Sequence, residues 1–165
     1  MSTQKIVVLG TGGTIAGKAA SAGDNVGYKA AEVGVADLLQ GVPGLDKALQ
    51  GRALVCEQIA QIDSKDMGWD VWRTLALRCQ EVLSDPLVTG VVITHGTDTL
   101  EETAWFLSAV LDTSKPVVLV SAMRPASSLT PDGPQNLLDA IAVAIHPGVV
   151  GVLAVAAGVV HSAKH

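Results

Sequence analysis

Four short runs of apolar, mostly β-branched residues constrain this chain most. They are residues 5–11 (KIVVLGT), 90–94 (GVVIT), 116–120 (PVVLV) and 149–155 (VVGVLAV). None alternates with polar residues, as a strand with one wet face would, so a sheet covered on both faces is expected. Residues 53–61 alternate loosely around Leu54, Val55 and Ile59 and predict a further strand. Helical spacing fills the gaps. Trp72, Leu75, Ala76, Cys79, Val82 and Leu83 share one face, as do Leu100, Ala104, Leu107 and Leu111. Leu137, Leu138, Ile141 and Ile145 share another, opened by Gly133-Pro134. Strands alternating with helices predict an α/β fold: a mostly parallel, three-layer, Rossmann-like sheet with right-handed crossovers.

At 165 residues a single domain is expected. Its 48% apolar content is enough for a sizeable core and excludes disorder. Only 16% of residues are charged, the net charge is −5 and there is no Lys/Arg run, which argues against a basic nucleic-acid face. Three Trp, one Tyr and one Phe make a poor platform for stacking bases. Cys56 and Cys79 read as small buried hydrophobes, and no Cys/His cluster suggests a metal. Residues 1–9 are too short for a signal-peptide core, so the cytoplasm is the expected compartment. Residues 140–160 could span a bilayer by length, but His146-Pro147-Gly148 interrupt them. A helix end, a turn and a buried strand are expected there, and no membrane association.

Residues 12–32 show no helical period and no strand before Val33, so a functional loop or mobile lid is expected. In open α/β sheets ligands sit beyond the carboxyl ends of the strands. Those ends carry Thr11-Gly12-Gly13-Thr14, Asp63-Ser64-Lys65-Asp66, His95-Gly96-Thr97-Asp98-Thr99 and Ser121-Ala122-Met123-Arg124. Hydroxyls, carboxylates and small residues suit a small zwitterionic substrate and attack by a hydroxyl. A dinucleotide site fits poorly, because Ile15 stands where the Gly-rich fingerprint needs Gly or Ala.

Each candidate also has a structural reading. Gly13 either lets backbone amides approach a ligand or only makes a tight turn. Thr14 is either a solvated turn residue or a nucleophile, which needs an activating partner. Tyr28, in the same loop, either supplies that contact or packs as a lid residue. Thr99 with Glu102, or Asp98 with Glu101, has capping-box spacing; if Thr99 caps, Asp98 is free for the cleft. His95 reads as a satisfied core histidine rather than a base.

Taken together, Thr11-Gly12-Gly13-Thr14-Ile15-Ala16-Gly17 and His95-Gly96-Thr97-Asp98-Thr99-Leu100-Glu101-Glu102 resemble the two signature motifs of bacterial-type L-asparaginases. Asp63-Ser64-Lys65-Asp66-Met67, Ala122-Met123-Arg124-Pro125 and Asp132-Gly133-Pro134-Gln135-Asn136 resemble further blocks of that family in the same order. The resemblance implies an N-terminal catalytic domain and hydrolysis of L-asparagine, or of L-glutamine, through a threonine acyl-enzyme without a cofactor. Thr14 would be the nucleophile, Tyr28 its assistant in the lid, and Thr97 with Asp98 a second catalytic pair. Ser64 and Asp98 would hold the α-carboxylate and α-ammonium, with Gly13, Gly96, Thr97 and Ala122 also lining the substrate. The family's chains are about twice as long and form homotetramers. Its second constellation is completed by a lysine expected beyond this sequence, a role not assigned to Lys164. Lys65 stands where the family often has Gln or Ser, and a cation there weakens ammonium binding unless it points outward. A half of this kind is also expected to expose apolar surface. Two other readings remain: a truncated half that binds or assembles without turnover, and a small nucleotide-binding domain.

Overall fold

The computed structural model describes residues 3–19 and 27–164. Six strands form the main sheet: β1 (Lys5–Gly12), β4 (Ala53–Ile62), β5 (Val88–Thr94), β6 (Pro116–Val120), β7 (Gly151–Ala156) and β8 (Val159–Ser162), in the order β4-β1-β5-β6-β7-β8. The first five run parallel and β8 returns antiparallel at the edge. A two-stranded ribbon, β2 (Lys18–Ala19) and β3 (Tyr28–Lys29), lies apart from it. The helices are α1 (Val35–Gln40), α2 (Leu45–Leu49), α3 (Trp69–Ser84), α4 (Leu100–Val110) and α5 (Gly133–Ile145).

The strand pleat explains the continuous apolar runs. Successive side chains leave opposite faces of a strand. Ile6, Val8, Val92, Val118 and Val120 pack with Val35 and Leu39 of α1 and Leu137 and Ile141 of α5. Val7, Leu9, Val91, Ile93, Val117 and Leu119 pack on the other face with Leu75 and Cys79 of α3 and Leu107 of α4. Both faces of the central strands are therefore dry, as the sequence predicts. The parallel α/β expectation holds, and residues 140–160 divide into the end of α5, a turn and β7 as expected.

Several expectations need correction. Strand β4 is a sheet edge with a neighbouring strand on one side only, and Cys56 on it is exposed; only Cys79 is buried. Residues 12–32 contain a 3-10 turn (Thr14–Ala16) and the β2–β3 ribbon before Val33, not a structureless loop. Residues 20–26 of the expected lid lie outside the described residues. Helices α1 and α2 span 6 and 5 residues, too short to show a period in sequence. Strand β8 follows β7 through a tight turn in which Ala157 and Gly158 both have positive φ. Among the described residues no helix is long and apolar enough to cross a membrane.

Candidate active site

The order of strands locates the site. From β1 the chain moves to β4 on one side, then returns through α3 to β5 on the other. The direction of winding thus reverses about β1, and such switch points open a crevice at the carboxyl ends of the strands. The loops that meet there follow β1, β4 and β5.

Backbone contacts this close leave no room for side chains. Gly13 has φ 81° and ψ −174°, a region open essentially to glycine alone. A methyl at Gly13 would overlap the Gly96 nitrogen and Cα and come within 2.7 Å of the His95 carbonyl carbon. A methyl at Gly96 would overlap the Ser64 hydroxyl and come within 2.6 Å of the Ser64 Cβ. Gly13 N–H donates to the Ile62 carbonyl at 3.0 Å, and the Thr11 hydroxyl donates to the Thr94 carbonyl at 2.8 Å. The three loops are thereby locked together at Gly13, Gly96 and Ser64.

Thr14 follows Gly13 and is buried, and its Oγ1 lies 2.8 Å from the Tyr28 hydroxyl. The Tyr28 ring covers Gly17, where an added methyl would sit 2.8 Å from the ring edge. The segment is pinned from afar as well. Ala126 N–H donates to the Gly17 carbonyl at 3.1 Å, and Ala19 N–H donates to Ser127 Oγ at 2.8 Å. Nothing in the sequence marks Ser127 for that role, since 108 residues separate the pair.

Buried Ser64 joins the second loop to the third. Its Oγ accepts from Asp98 N–H at 3.1 Å, and its carbonyl accepts the Thr99 hydroxyl at 2.8 Å. This corrects the capping expectation. Thr99 occupies the N-cap position of α4, but its hydroxyl is spent on Ser64 and caps nothing, and Asp98 lies outside the helix. The carboxylate of exposed Asp98 and the hydroxyl of half-buried Thr97 take no hydrogen bond from the described residues.

His95 is the satisfied core histidine expected. It is fully buried; Nδ1 pairs with the Gly96 carbonyl at 2.8 Å and Nε2 with the Thr103 hydroxyl at 2.9 Å. A carbonyl only accepts, so the proton sits on Nδ1 and Thr103 donates to Nε2. Trp72 Nε1–H donates to the same hydroxyl at 2.8 Å. Burial holds the imidazole pKa below its usual value, against a smaller opposing effect of the Gly96 carbonyl, so the ring is a neutral strut.

Ala122, the first small residue after Ser121, is buried beside the start of α5, where Gly133 leaves space for Ile15. Burial raises the Asp132 pKa, but Met123 and Arg124 N–H groups, each donating at 2.9 Å, together with the Arg124 charge bring it below the usual carboxylate value. Among the described residues no group of three His, Cys, Asp or Glu could hold a metal ion. A separate cavity of about 880 Å³ lies against α4, β7 and β8, lined by Trp72, Trp105, Phe106 and His161 among others; none of the candidate site residues lines it.

Comparison with known proteins places the family and the fold. Residues 5–165 match the family model described as "Asparaginase, N-terminal". The chain belongs to the asparaginase family. It is 46% identical over 139 residues to a glutaminase-asparaginase of Pseudomonas fluorescens biotype A, covering 84% of this chain and 38% of that protein. It is 44% identical over 145 residues to L-asparaginase 2 of Escherichia coli K12, covering 87% and 40%. A Campylobacter jejuni structure described as a probable cytoplasmic L-asparaginase superposes with a TM-score of 0.92 at 40% identity, covering 98% of this chain and 49% of that one. This asparaginase-family chain thus spans about half the length, or less, of the relatives it matches.

Proposed function

We propose that this chain is the N-terminal catalytic half of an amidohydrolase that releases ammonia from the side-chain amide of L-asparagine. Thr14 Oγ1 attacks the amide carbon, ammonia departs, and a β-acyl-threonine ester remains for water to hydrolyse to L-aspartate. One observation carries this reading: a buried threonine hydroxyl, 2.8 Å from a tyrosine hydroxyl, on a loop whose glycine packs directly on the Gly96-Thr97-Asp98 loop. A threonine hydroxyl needs such a partner to become a nucleophile. Thr97 and Asp98 form the second pair, with Asp98 facing the substrate ammonium and Ser64 the α-carboxylate; charge-assisted bonds of this kind reject uncharged amides. Backbone amides near Gly13 and Thr97 stabilise the tetrahedral oxyanion, and Ala122 lines the substrate crevice at the strand ends. The β2–β3 ribbon carrying Tyr28 serves as a lid that excludes water.

Asparagine and glutamine differ by one methylene, worth ~1–3 kcal/mol of discrimination, and the names of the relatives cover both amides. Ammonia release from both substrates, with Thr14→Ala beside the unaltered chain, tests the reading. Turnover that falls to background in Thr14→Ala supports it, and turnover at the original rate refutes it. A second reading has this half bind its ligand and assemble without turnover by itself. Binding of L-aspartate without ammonia release would establish that reading. The cytoplasm is the compartment we assign, on the description of the C. jejuni neighbour, although a Haemophilus influenzae relative is named periplasmic.

A further inference from the structure

Tyr28 reaches Thr14 from a ribbon that holds its place poorly by itself. Strands β2 and β3 pair over two residues each, Lys18 with Lys29 and Ala19 with Tyr28. So short a ribbon is marginal at best in water. Lys18 opposite Lys29 weakens it further, because like charges directly across a ladder repel, although Glu32 holds the Lys29 ammonium at 2.6 Å. On the β3 side, Ala31 N–H donates to the Gly13 carbonyl at 3.1 Å, which ties the chain after Tyr28 back to the Thr14 loop.

The β2 side is held from elsewhere. Ala19, the residue that pairs with Tyr28, is buried and donates its N–H to Ser127 Oγ at 2.8 Å, and Ala126 N–H donates to the Gly17 carbonyl at 3.1 Å. The loop that supplies these groups is itself braced. Asp132 accepts from Met123 and Arg124 N–H at 2.9 Å each, and Arg124 Nη1 donates to Thr130 Oγ1 at 2.8 Å. Ser128 N–H closes a turn onto the Pro125 carbonyl at 2.9 Å. Buried Asn136 ties the base of the loop to α5 by donating to the Ser121 carbonyl at 2.9 Å. With a braced loop on one side and a weak ribbon on the other, the loop decides where the ribbon lies.

We propose that Ser127 is a positioning residue for the reaction: through Ala19 it sets the place of β2, and so keeps the Tyr28 hydroxyl on Thr14 Oγ1. The inference rests on the reading of Thr14 as the nucleophile and Tyr28 as its partner. Ser127 itself touches no reacting atom; it acts over one hydrogen bond and one strand pair.

Tyr28 is the only tyrosine of the chain, so nitration by tetranitromethane, followed by the visible absorbance of nitrotyrosine, reports its release from Thr14. Losing one neutral hydrogen bond should make nitration about three- to tenfold faster in Ser127→Ala. Ser127→Thr keeps the hydroxyl and should restore the original rate. Ser128→Ala is the control for the loop, since Ser128 Oγ accepts from Thr130 N–H at 3.3 Å within that loop, and nitration should not respond to it. Unchanged nitration in Ser127→Ala, whatever its Tm, would make Ser127 a structural residue of its own loop and overturn the proposal. An equal response to Ser128→Ala, or no recovery in Ser127→Thr, would overturn it too. Failure of the underlying reading looks different: turnover that survives Thr14→Ala at the original rate removes the reaction from this pair, while nitration still follows Ser127.

Discussion

Alanine substitutions at three glycines separate backbone strain from overcrowding at the junction of the site loops. Gly44 has φ 80° with nothing within 4 Å of an added methyl, so Gly44→Ala introduces strain alone. Left-handed backbone costs an L-residue ~1–2 kcal/mol. Gly96 has a negative φ, so Gly96→Ala introduces only the collision with Ser64. Overpacking of that kind costs ~1–3 kcal/mol. Gly13→Ala carries both burdens, and the atoms it meets belong to the Gly96 and His95 backbone, which cannot rotate away. Its ψ of −174° also lies outside the left-handed helical region, where the strain is ~1–3 kcal/mol. The expected loss for Gly13→Ala is ~2–6 kcal/mol, or about 5–20 °C in Tm for a domain of this size. Thermal unfolding followed by far-ultraviolet circular dichroism measures all three variants under one condition. The order expected is Gly44→Ala mildest and Gly13→Ala most severe. If Gly13→Ala costs no more than Gly44→Ala, the first and third loops do not pack as described, and the argument for a shared site loses its foundation.

Two further predictions test the buried polar and thiol groups. Burial pushes the Cys79 thiol up to about 12 while Cys56 is exposed, so a thiol reagent should titrate one cysteine in the native chain and the second only after denaturation; rapid reaction of both would contradict the core on the α3 face. Because burial lowers the His95 pKa below 6.5, the unfolded chain takes up a proton before the native one does, so His95 should cost stability as pH falls from about 6.5 towards its depressed folded value, and none above that range. Denaturant unfolding across that window should show the loss in the unaltered chain and a shallower dependence in His95→Gln; identical slopes would mean that His95 titrates normally in the fold.

Much of the sheet was legible because its signal is local. In β1, Val7 and Val8 face opposite layers, and two dry faces leave the same mark in any order of strands: an unbroken apolar run. Helices α3, α4 and α5 repeat their apolar positions for 11 residues or more, long enough for a period to show. The Tyr28 contact with Thr14 was also within reach, since only 14 residues separate them. Cys56 misled because alternation does not say whether a strand lies inside the sheet or at its edge, and Thr99 misled because a capping pattern cannot foresee a rival acceptor 35 residues away.

By itself, then, the sequence determined the α/β class, the faces of the long helices and the polar groups carried to the strand ends, since each follows from spacing along one segment. Tertiary structure alone decided that the winding reverses at β1, that Gly13, Gly96 and Ser64 close onto one another, and that Ser64 rather than the helix takes the Thr99 hydroxyl. Those outcomes depend on which loops the sheet sets side by side, and hydrogen-bonding groups select partners by distance in space, to which order along the chain is blind.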